Sequence, residues 1–357
     1  MIRLERRPVP STLFSIVSPL IALVATACFG LALFVWLGKD PVAGLRIFFV
    51  TPLSTPRGWS EVGLKMTPLL LCALGLAICY RSNVWNIGAE GQLVVGGVCA
   101  GAVALVATPA TGHAFVLLVV LAGVIGGMLW ASLTAWLRDS FNANEILVSL
   151  MLSYVGQLLL LYLVHGALKD PAGRNFPYSK TFEAAAMLPR LFPPNRVTVG
   201  FAVAIVLALL AWVFVFKSRV GFRLQAAGEA PLAARYAGFP ARQAVWVPML
   251  LCGGVAGLAG AFEVAGPLGQ LTPSISPGYG FAAIIVAWLG RLHPIGCVFA
   301  AFVMALIYIG GELSQSRLGL PNAITGVFQG ALLLALLCAD TFIHFRVRFG
   351  SWTPSPR

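Results

Sequence analysis

The sequence predicts an all-α, polytopic membrane protein with about ten transmembrane helices arranged as two inverted-repeat halves. Hydrophobic residues make up 59% of the 357 residues and charged residues only 10%, where a soluble domain carries about 25% charged residues. The mean hydropathy is +0.89. The apolar residues are also gathered into runs, many close to the roughly 20 residues that cross a hydrocarbon layer of about 30 Å.

Ten apolar segments follow one another, at roughly 13–37, 64–80, 87–108, 114–137, 145–166, 197–216, 243–263, 275–290, 294–311 and 321–343. Backbone amides cannot go unpaired in hydrocarbon, so each segment is expected to be helical. The first follows Arg3, Arg6 and Arg7 and is too long for a signal-peptide core, which makes it a retained span. The second is short and stops at Arg81. The fifth opens with Asn142 and Glu145 at the offset of a capping box, with a role at the cytoplasmic mouth as the alternative. The eighth is short and stops at Arg291. It is either a tilted span starting near Ser274 or a re-entrant half-helix, and chain parity favours the full span. These two short segments hold comparable places in the two halves, as an inverted repeat would require.

Charge sets the orientation. Arg81, Arg138, Arg291, the stretch Lys217 to Arg242, and Arg346 with Arg348 fall on one side. The positive-inside rule makes that side cytoplasmic. The expected layout is a cytoplasmic segment 1–12, a membrane domain 13–343 and a cytoplasmic tail 344–357. A cytoplasmic loop covers 217–242, and outer loops cover 38–63 and 167–196. The net charge of +12 resides mostly in short connections between apolar runs, not on one face, so no nucleic-acid partner is expected.

Several chemistries are absent from the sequence. His113, His165, His293 and His344 are scattered, and there is no H-E-x-x-H, G-x-S-x-G or Walker A pattern. No catalytic residue, metal ligand or cofactor is expected. The seven cysteines form no C-x-x-C pair and read as small packing residues. Glu263, Glu312 and Asp340 lie near span ends, not in a mid-membrane relay. That weighs against an ion-coupled secondary transporter, which stands as the rival reading.

Polar residues gather in three places. Asn86, Glu90 and Gln92 sit with Gly88 and Gly91 at the start of the third segment. They are either a broken helix lining a pathway or a cap, with Asn86 closing the helix start and Glu90 complementing its dipole. Asn142 to Glu145 is the second place. The third is the loop 217–242, whose Gly228–Gly238 stretch is either a small-faced helix that seats in another protein or an ordinary basic loop. On the eighth segment Tyr279, Phe281 and Trp288 are either stacking faces for a flat solute or packing and interface anchors.

At these residues the sequence resembles the permease subunits of ABC importers, in the group that moves simple sugars, nucleosides and branched-chain amino acids. The nucleoside and simple-sugar members are the nearest in pattern. The carrying strings are Asn86-Ile87-Gly88-Ala89-Glu90-Gly91-Gln92, Asn144-Glu145-Ile146 with Met151-Leu152, and Ala226-Ala227-Gly228-Glu229 through Ala233-Ala234-Arg235-Tyr236-Ala237-Gly238. They continue with Gly257-Leu258-Ala259-Gly260-Ala261, Gly278-Tyr279-Gly280-Phe281 and Leu289-Gly290-Arg291-Leu292-His293-Pro294-Ile295-Gly296. The resemblance implies a half-channel in a bacterial cytoplasmic (inner) membrane, multi-pass, with both termini cytoplasmic. It implies an ATPase with two nucleotide-binding cassettes, a second permease as homo- or heterodimer, and a periplasmic or lipid-anchored solute-binding protein. Asn86, Glu90, Gln92, Tyr279, Phe281 and Trp288 are the expected pathway residues. Gly228, Glu229, Ala233, Ala234 and Gly238 match the family's ATPase-coupling helix. The chain departs from many relatives at Ala230, Ala282 and Ser153, where they carry asparagine, aspartate and asparagine.

Overall fold

The computed structural model describes residues 2–6, 12–173, 175–321 and 323–349. All ten apolar segments are helical, and the elements in chain order are β1 (Ile2–Arg6), α1 (Thr12–Trp36), α2 (Pro41–Leu45), α3 (Pro56–Arg81), α4 (Ala89–Ala104), α5 (Phe115–Phe141), α6 (Glu145–His165) and α7 (Val199–Lys217). There follow α8 (Arg219–Glu229), α9 (Pro231–Tyr236), α10 (Ala241–Glu263), α11 (Tyr279–Leu289), α12 (Pro294–Leu318), α13 (Ala323–His344) and β2 (Phe345–Phe349). Among the described residues eight helices are long and apolar enough to cross a membrane. Helices α4 and α11, of 16 and 11 residues, are not. They reach only about 24 and about 17 Å, short of a hydrocarbon layer of roughly 30 Å.

The chain divides into two compact units, Met1–Ser54 with Leu306–Arg357, and Thr55–Ala305. In the first, α1 packs along α13. Phe34, Phe48 and Phe328 are fully buried there, with the Phe48 and Phe328 rings stacked at 4.3 Å. Phe48 belongs to a π-helical turn, Arg46–Val50, that continues α2. Asp40 caps α2 by accepting from the Val42 and Ala43 amides. The stretch 38–63, expected as an outer loop, is therefore mostly helical. Its prolines open helices at Pro41 and Pro56, and its aromatic Phe48 is drawn into a core. Strand β1 pairs antiparallel with β2, Ile2 opposite Phe349 and Arg6 opposite Phe345. Residues 2–6 and 345–349 thus lie side by side. Of the expected terminal segments 1–12 and 344–357, residues 1, 7–11 and 350–357 lie outside the described residues.

The second unit is built around α10, which α3, α4 and α5 surround. Lipid gives helices no hydrophobic drive toward one another, so close backbone approach between small residues does the packing. A Cβ on Gly253 of α10 would lie 2.5 Å from the Gly127 carbonyl of α5, and one on Gly96 of α4 would strike the Gly257 backbone. Helix α3 is almost wholly buried. It is also not short, contrary to the expectation for 64–80. Thr55 caps it and Pro56 opens it, and its first turns carry Arg57, Glu61 and Lys65, whose charge hid them in the sequence.

The expected capping box at Asn142 and Glu145 is corrected as well. Asn142, with φ of 49°, ends α5 in the left-handed conformation. Asn144 caps α6, accepting from the Ile146 and Leu147 amides, and Glu145 pairs with Arg138 at 2.8 Å.

The short helices follow re-entrant, non-helical stretches. After α3 the chain turns back at Ser82 and rises until Asn86 meets Cys252 of α10. Cys252 lies about 15 Å along α10 from Arg242 at 1.5 Å per residue. After α10 and a π-helical turn at Val264–Leu268, the chain runs antiparallel to α4. Leu271 packs on Gly101, Ile275 on Gly97, and Gly280 on the backbone of Glu90. Non-helical backbone survives at membrane depth only when protein or a water-filled cavity satisfies it. Ser179 and Phe182 of the outer loop supply partners: their amides donate to the Leu271 and Gly269 carbonyls, and the Leu271 amide donates to Ser179 Oγ. The eighth segment is therefore an extended stretch followed by a half-helix. Helices α3 and α10 each lead through a re-entrant stretch into a half-helix, in opposite directions. The half-helix comparable to α11 is α4, and not the long helix that covers the second segment.

Candidate functional site

Asn86 is fully buried at the top of the first re-entrant stretch. Its Oδ1 accepts from the Gly88 amide at 2.8 Å, and its Nδ2 approaches Gln92 Oε1 at 3.3 Å and Cys252 Sγ at 3.2 Å. Tyr80 donates its hydroxyl to the Asn86 carbonyl, and Ser149 of α6 accepts from the Ile87 amide. These bonds replace the helical ones that residues 82–88 lack. Asn86 and Gln92 thereby knit α3, α4 and α10 together from inside.

Glu90, also fully buried, stands in the first turn of α4, but its carboxylate serves another helix. Oε2 accepts from the Gly280 amide in the first turn of α11 at 2.7 Å, and Oε1 accepts from Gln157 of α6 at 3.3 Å. Gln157 is about 18 Å along α6 from its start at Glu145, so the carboxylate sits near the membrane centre. The positive N-terminal ends of both half-helices meet there. Gly280 has no alternative residue, because a Cβ would collide with the Glu90 backbone.

An open stripe passes over this buried knot. On α11 only Phe281, Ile284 and Trp288 are partly exposed, at a spacing of three and four residues that defines one helix face. Above them Ser274 and Pro277 of the second re-entrant stretch are exposed. On the outer part of α3, Trp59 is 52% exposed and stacks on Phe302, and Glu61 pairs with Arg196 at 3.2 Å. One to two turns further, Lys65 places its ammonium 5.7 Å from the centre of the Tyr279 ring. At the inner end Trp85 lies against Trp288. Of the expected pathway residues, Phe281 and Trp288 are on this stripe, whereas Asn86, Glu90, Gln92 and Tyr279 lie buried beneath it. Lys65, Gln157, Ser149 and Pro277 went unnoticed in the sequence. Only Lys65, a lone charge four residues after Glu61, carried a usable signal.

The inner end is tied to helices α8 and α9. Arg81 donates from Nε to the Leu292 carbonyl at 2.7 Å and lies over the Phe216 ring. Burial pushes the His293 imidazole below its ordinary value, and the Arg81 charge adds to this. A Cβ on Gly228 would lie 2.8 Å from the Arg81 carbonyl, so α8 rests directly on the backbone that leads into the re-entrant stretch. Glu229, Ala233 and Gly238 are exposed, Ala234 is buried, and Gly238 has φ of 79°. Leu232 and Tyr236 on α9 are 84% and 97% exposed. A cavity of about 380 Å³ lies between this segment and the bundle, lined by Ser82, Asn83, Arg138, Pro231, Arg235 and Phe239 among others.

Half-helices that start at mid-membrane, beside an open and partly non-helical stripe, define a multi-pass protein built to pass a solute. Comparison with known proteins agrees. The chain belongs to the family described as branched-chain amino acid transport system / permease component, which it matches over residues 60–337. It is 36% identical to the glucose ABC transporter permease of Haloferax volcanii, over 96% of this chain and 92% of that one. It is 30% identical to the guanosine ABC transporter permease of Bacillus subtilis, over 82% and 88%. Identity to the nucleoside ABC transporter permease of Lactococcus lactis is 26%, over 88% of each.

Proposed function

We propose that this chain is the membrane-spanning permease subunit of an ABC importer for nucleosides or a related simple-sugar solute. The observation that carries the reading is the open stripe from Trp59 to Trp85, on a chain with ABC permease relatives over 96% and 82% of its length. Phe281 and Trp288 face the solute, with Lys65 above them. Asn86, Glu90, Gln92 and Tyr279 hold the half-helices in place from behind. A second permease, identical or not, closes the other side of the path.

The cytoplasmic segment 217–242 docks on an ATPase with two nucleotide-binding cassettes. Glu229, Ala233 and Gly238 face that partner, and Gly228 and Ala234 face the bundle. Closure of the cassettes moves α8, which transmits the displacement through Gly228 to Arg81–Asn83 and on to the half-helices. That biases the outward- against the inward-facing state. A periplasmic or lipid-anchored binding protein delivers solute at the outer end, and both termini lie in the cytoplasm.

Proteoliposomes holding the permease pair and ATPase, with binding protein outside, test this. ATP inside the cell-equivalent compartment should drive uptake of labelled guanosine or glucose, and uncouplers should leave it intact. Uptake by this chain alone that collapses with an uncoupler would replace the reading with an ion-coupled secondary transporter.

A further inference from the structure

Helix α11 delivers its open face to an aromatic patch at the cytoplasmic mouth. The rings of Tyr80, Trp85 and Trp288 lie at mutual centroid distances of 5.5, 5.9 and 6.1 Å, with interplanar angles of 35°, 25° and 21°. Trp288 is therefore stacked with both Tyr80 and Trp85, while Tyr80 and Trp85 are tilted to one another. Tyr80 is buried, Trp288 is partly exposed, and Trp85 is 40% exposed. Packing alone does not call for Trp85 to be held so firmly. Its indole N–H donates to Asn83 Oδ1 at 3.0 Å, and Asn83 has φ of 53°. A membrane-interface tryptophan turns its ring to lipid and headgroups. Trp85 instead lays its ring against a residue of the open stripe.

We propose that Tyr80, Trp85 and Trp288 form a stacking platform at the inner mouth, on which a planar heteroaromatic ring such as a nucleobase rests before release. The proposal deepens the importer reading and rests on it. A ring moving down the stripe passes Phe281, then Ile284, then Trp288, about 10 Å of helix in all. It arrives at a surface of π faces. Base–aromatic stacking tolerates any base because each has a π face, which suits a permease whose solute has already been selected outside. The platform is also joined to the drive. Gly228 packs on the backbone of Arg81 to Asn83, two residues before Trp85, so displacement of α8 shifts Trp85 against Trp288 and separates the faces that hold the ring.

The test uses the complete importer in proteoliposomes, with guanosine and glucose as probes, and Trp85→Ala, Trp85→Phe and Trp288→Ala as variants. The alanine variants should lower guanosine uptake efficiency about tenfold, the size of one lost base–aromatic stack. Trp85→Phe should restore it to within about threefold, since a phenyl ring still stacks. In purified permease, guanosine should quench tryptophan fluorescence, and Trp85→Phe should remove part of that quench. Unchanged guanosine uptake in both alanine variants, at wild-type unfolding temperature, would overturn the proposal. So would a loss that Trp85→Phe does not repair. Equal loss of glucose uptake would overturn the assignment to planar rings. If the wild-type importer moves neither probe, the importer reading itself fails, and the quench in isolated permease then decides the platform alone.

Discussion

Replacing Glu90 by alanine should loosen the start of α11 more than any other single side-chain deletion in the second unit. The Gly280 amide donates to Oε2 at 2.7 Å inside a site closed to solvent. A hydrogen bond to a charged group contributes about 1.5–3 kcal/mol. A carboxylate at a partly buried helix N-terminus adds up to about 2 kcal/mol, though part of that is the same contact. The Gln157 bond at 3.3 Å is long and adds roughly 0.5–1 kcal/mol. Alanine should therefore cost on the order of 3–4 kcal/mol, since terms sharing one group do not sum fully. Glutamine keeps the shape and one acceptor oxygen and should cost on the order of 1–2 kcal/mol. The assay is thermal unfolding of the permease in nanodiscs, read beside ATP-driven uptake. The expected order of unfolding temperatures is wild type, then Glu90→Gln, then Glu90→Ala, with uptake abolished in the last. An alanine variant with the unfolding temperature and uptake of the wild type would refute the claim that this carboxylate positions α11.

Other outcomes follow from the same geometry. In a background lacking the seven cysteines, single cysteines at Pro277 and Ile284 should react with a soluble maleimide, while one at Val286 should not. Equal reactivity at all three would remove the stripe as the path. Gly257→Leu forces a branched side chain into the Gly123 and Gly127 backbone, and at upwards of 4 kcal/mol it should leave little folded permease on size-exclusion chromatography. Glu229→Lys, on an exposed position of α8, should leave the fold intact yet uncouple ATP hydrolysis from uptake; normal uptake would count against the docking assignment. His293 is held below its ordinary value, so the unfolded chain takes up its proton first as pH falls. Stability should decline below about pH 6.5, and His293→Gln should flatten that part of the profile.

The spans were legible because hydrocarbon demands long apolar helices, and among the described residues eight of the ten segments appear as helices long enough to cross. Their ends were less so. Arg57, Glu61 and Lys65 made the outer turns of α3 look like loop, although α3 begins at Pro56. Asn142 and Asn144 both fit a cap by residue type, and only backbone conformation separates them. The stretch Gly228–Gly238 read as an ordinary basic loop by composition, and only the family resemblance singled it out as an ATPase-coupling helix. Glu90 was singled out in the sequence, but its partner was not. Gly280 lies 190 positions away, and no local pattern announces a carboxylate that caps a different helix. Exposure at Pro277 was equally hidden, because a proline in a Pro/Gly-rich run reads as a simple breaker.

The meeting of two half-helix ends at Glu90 bears on how tightly the membrane is sealed against ions. Each end presents roughly half a positive charge, and the Glu90 carboxyl oxygens lie between them. Those oxygens offset the field of the helix ends. A neutral solute feels little field there, while an ion gains nothing that offsets its lost hydration. Moving one charge across a polarised membrane is worth about 2.3 kcal/mol per 100 mV, a standing force on any leak. Without the carboxylate, the centre would hold about one uncompensated positive charge and would draw anions inward. If the proposed path runs beside Glu90, the same variant that loosens α11 should raise the chloride conductance of the bilayer that carries it.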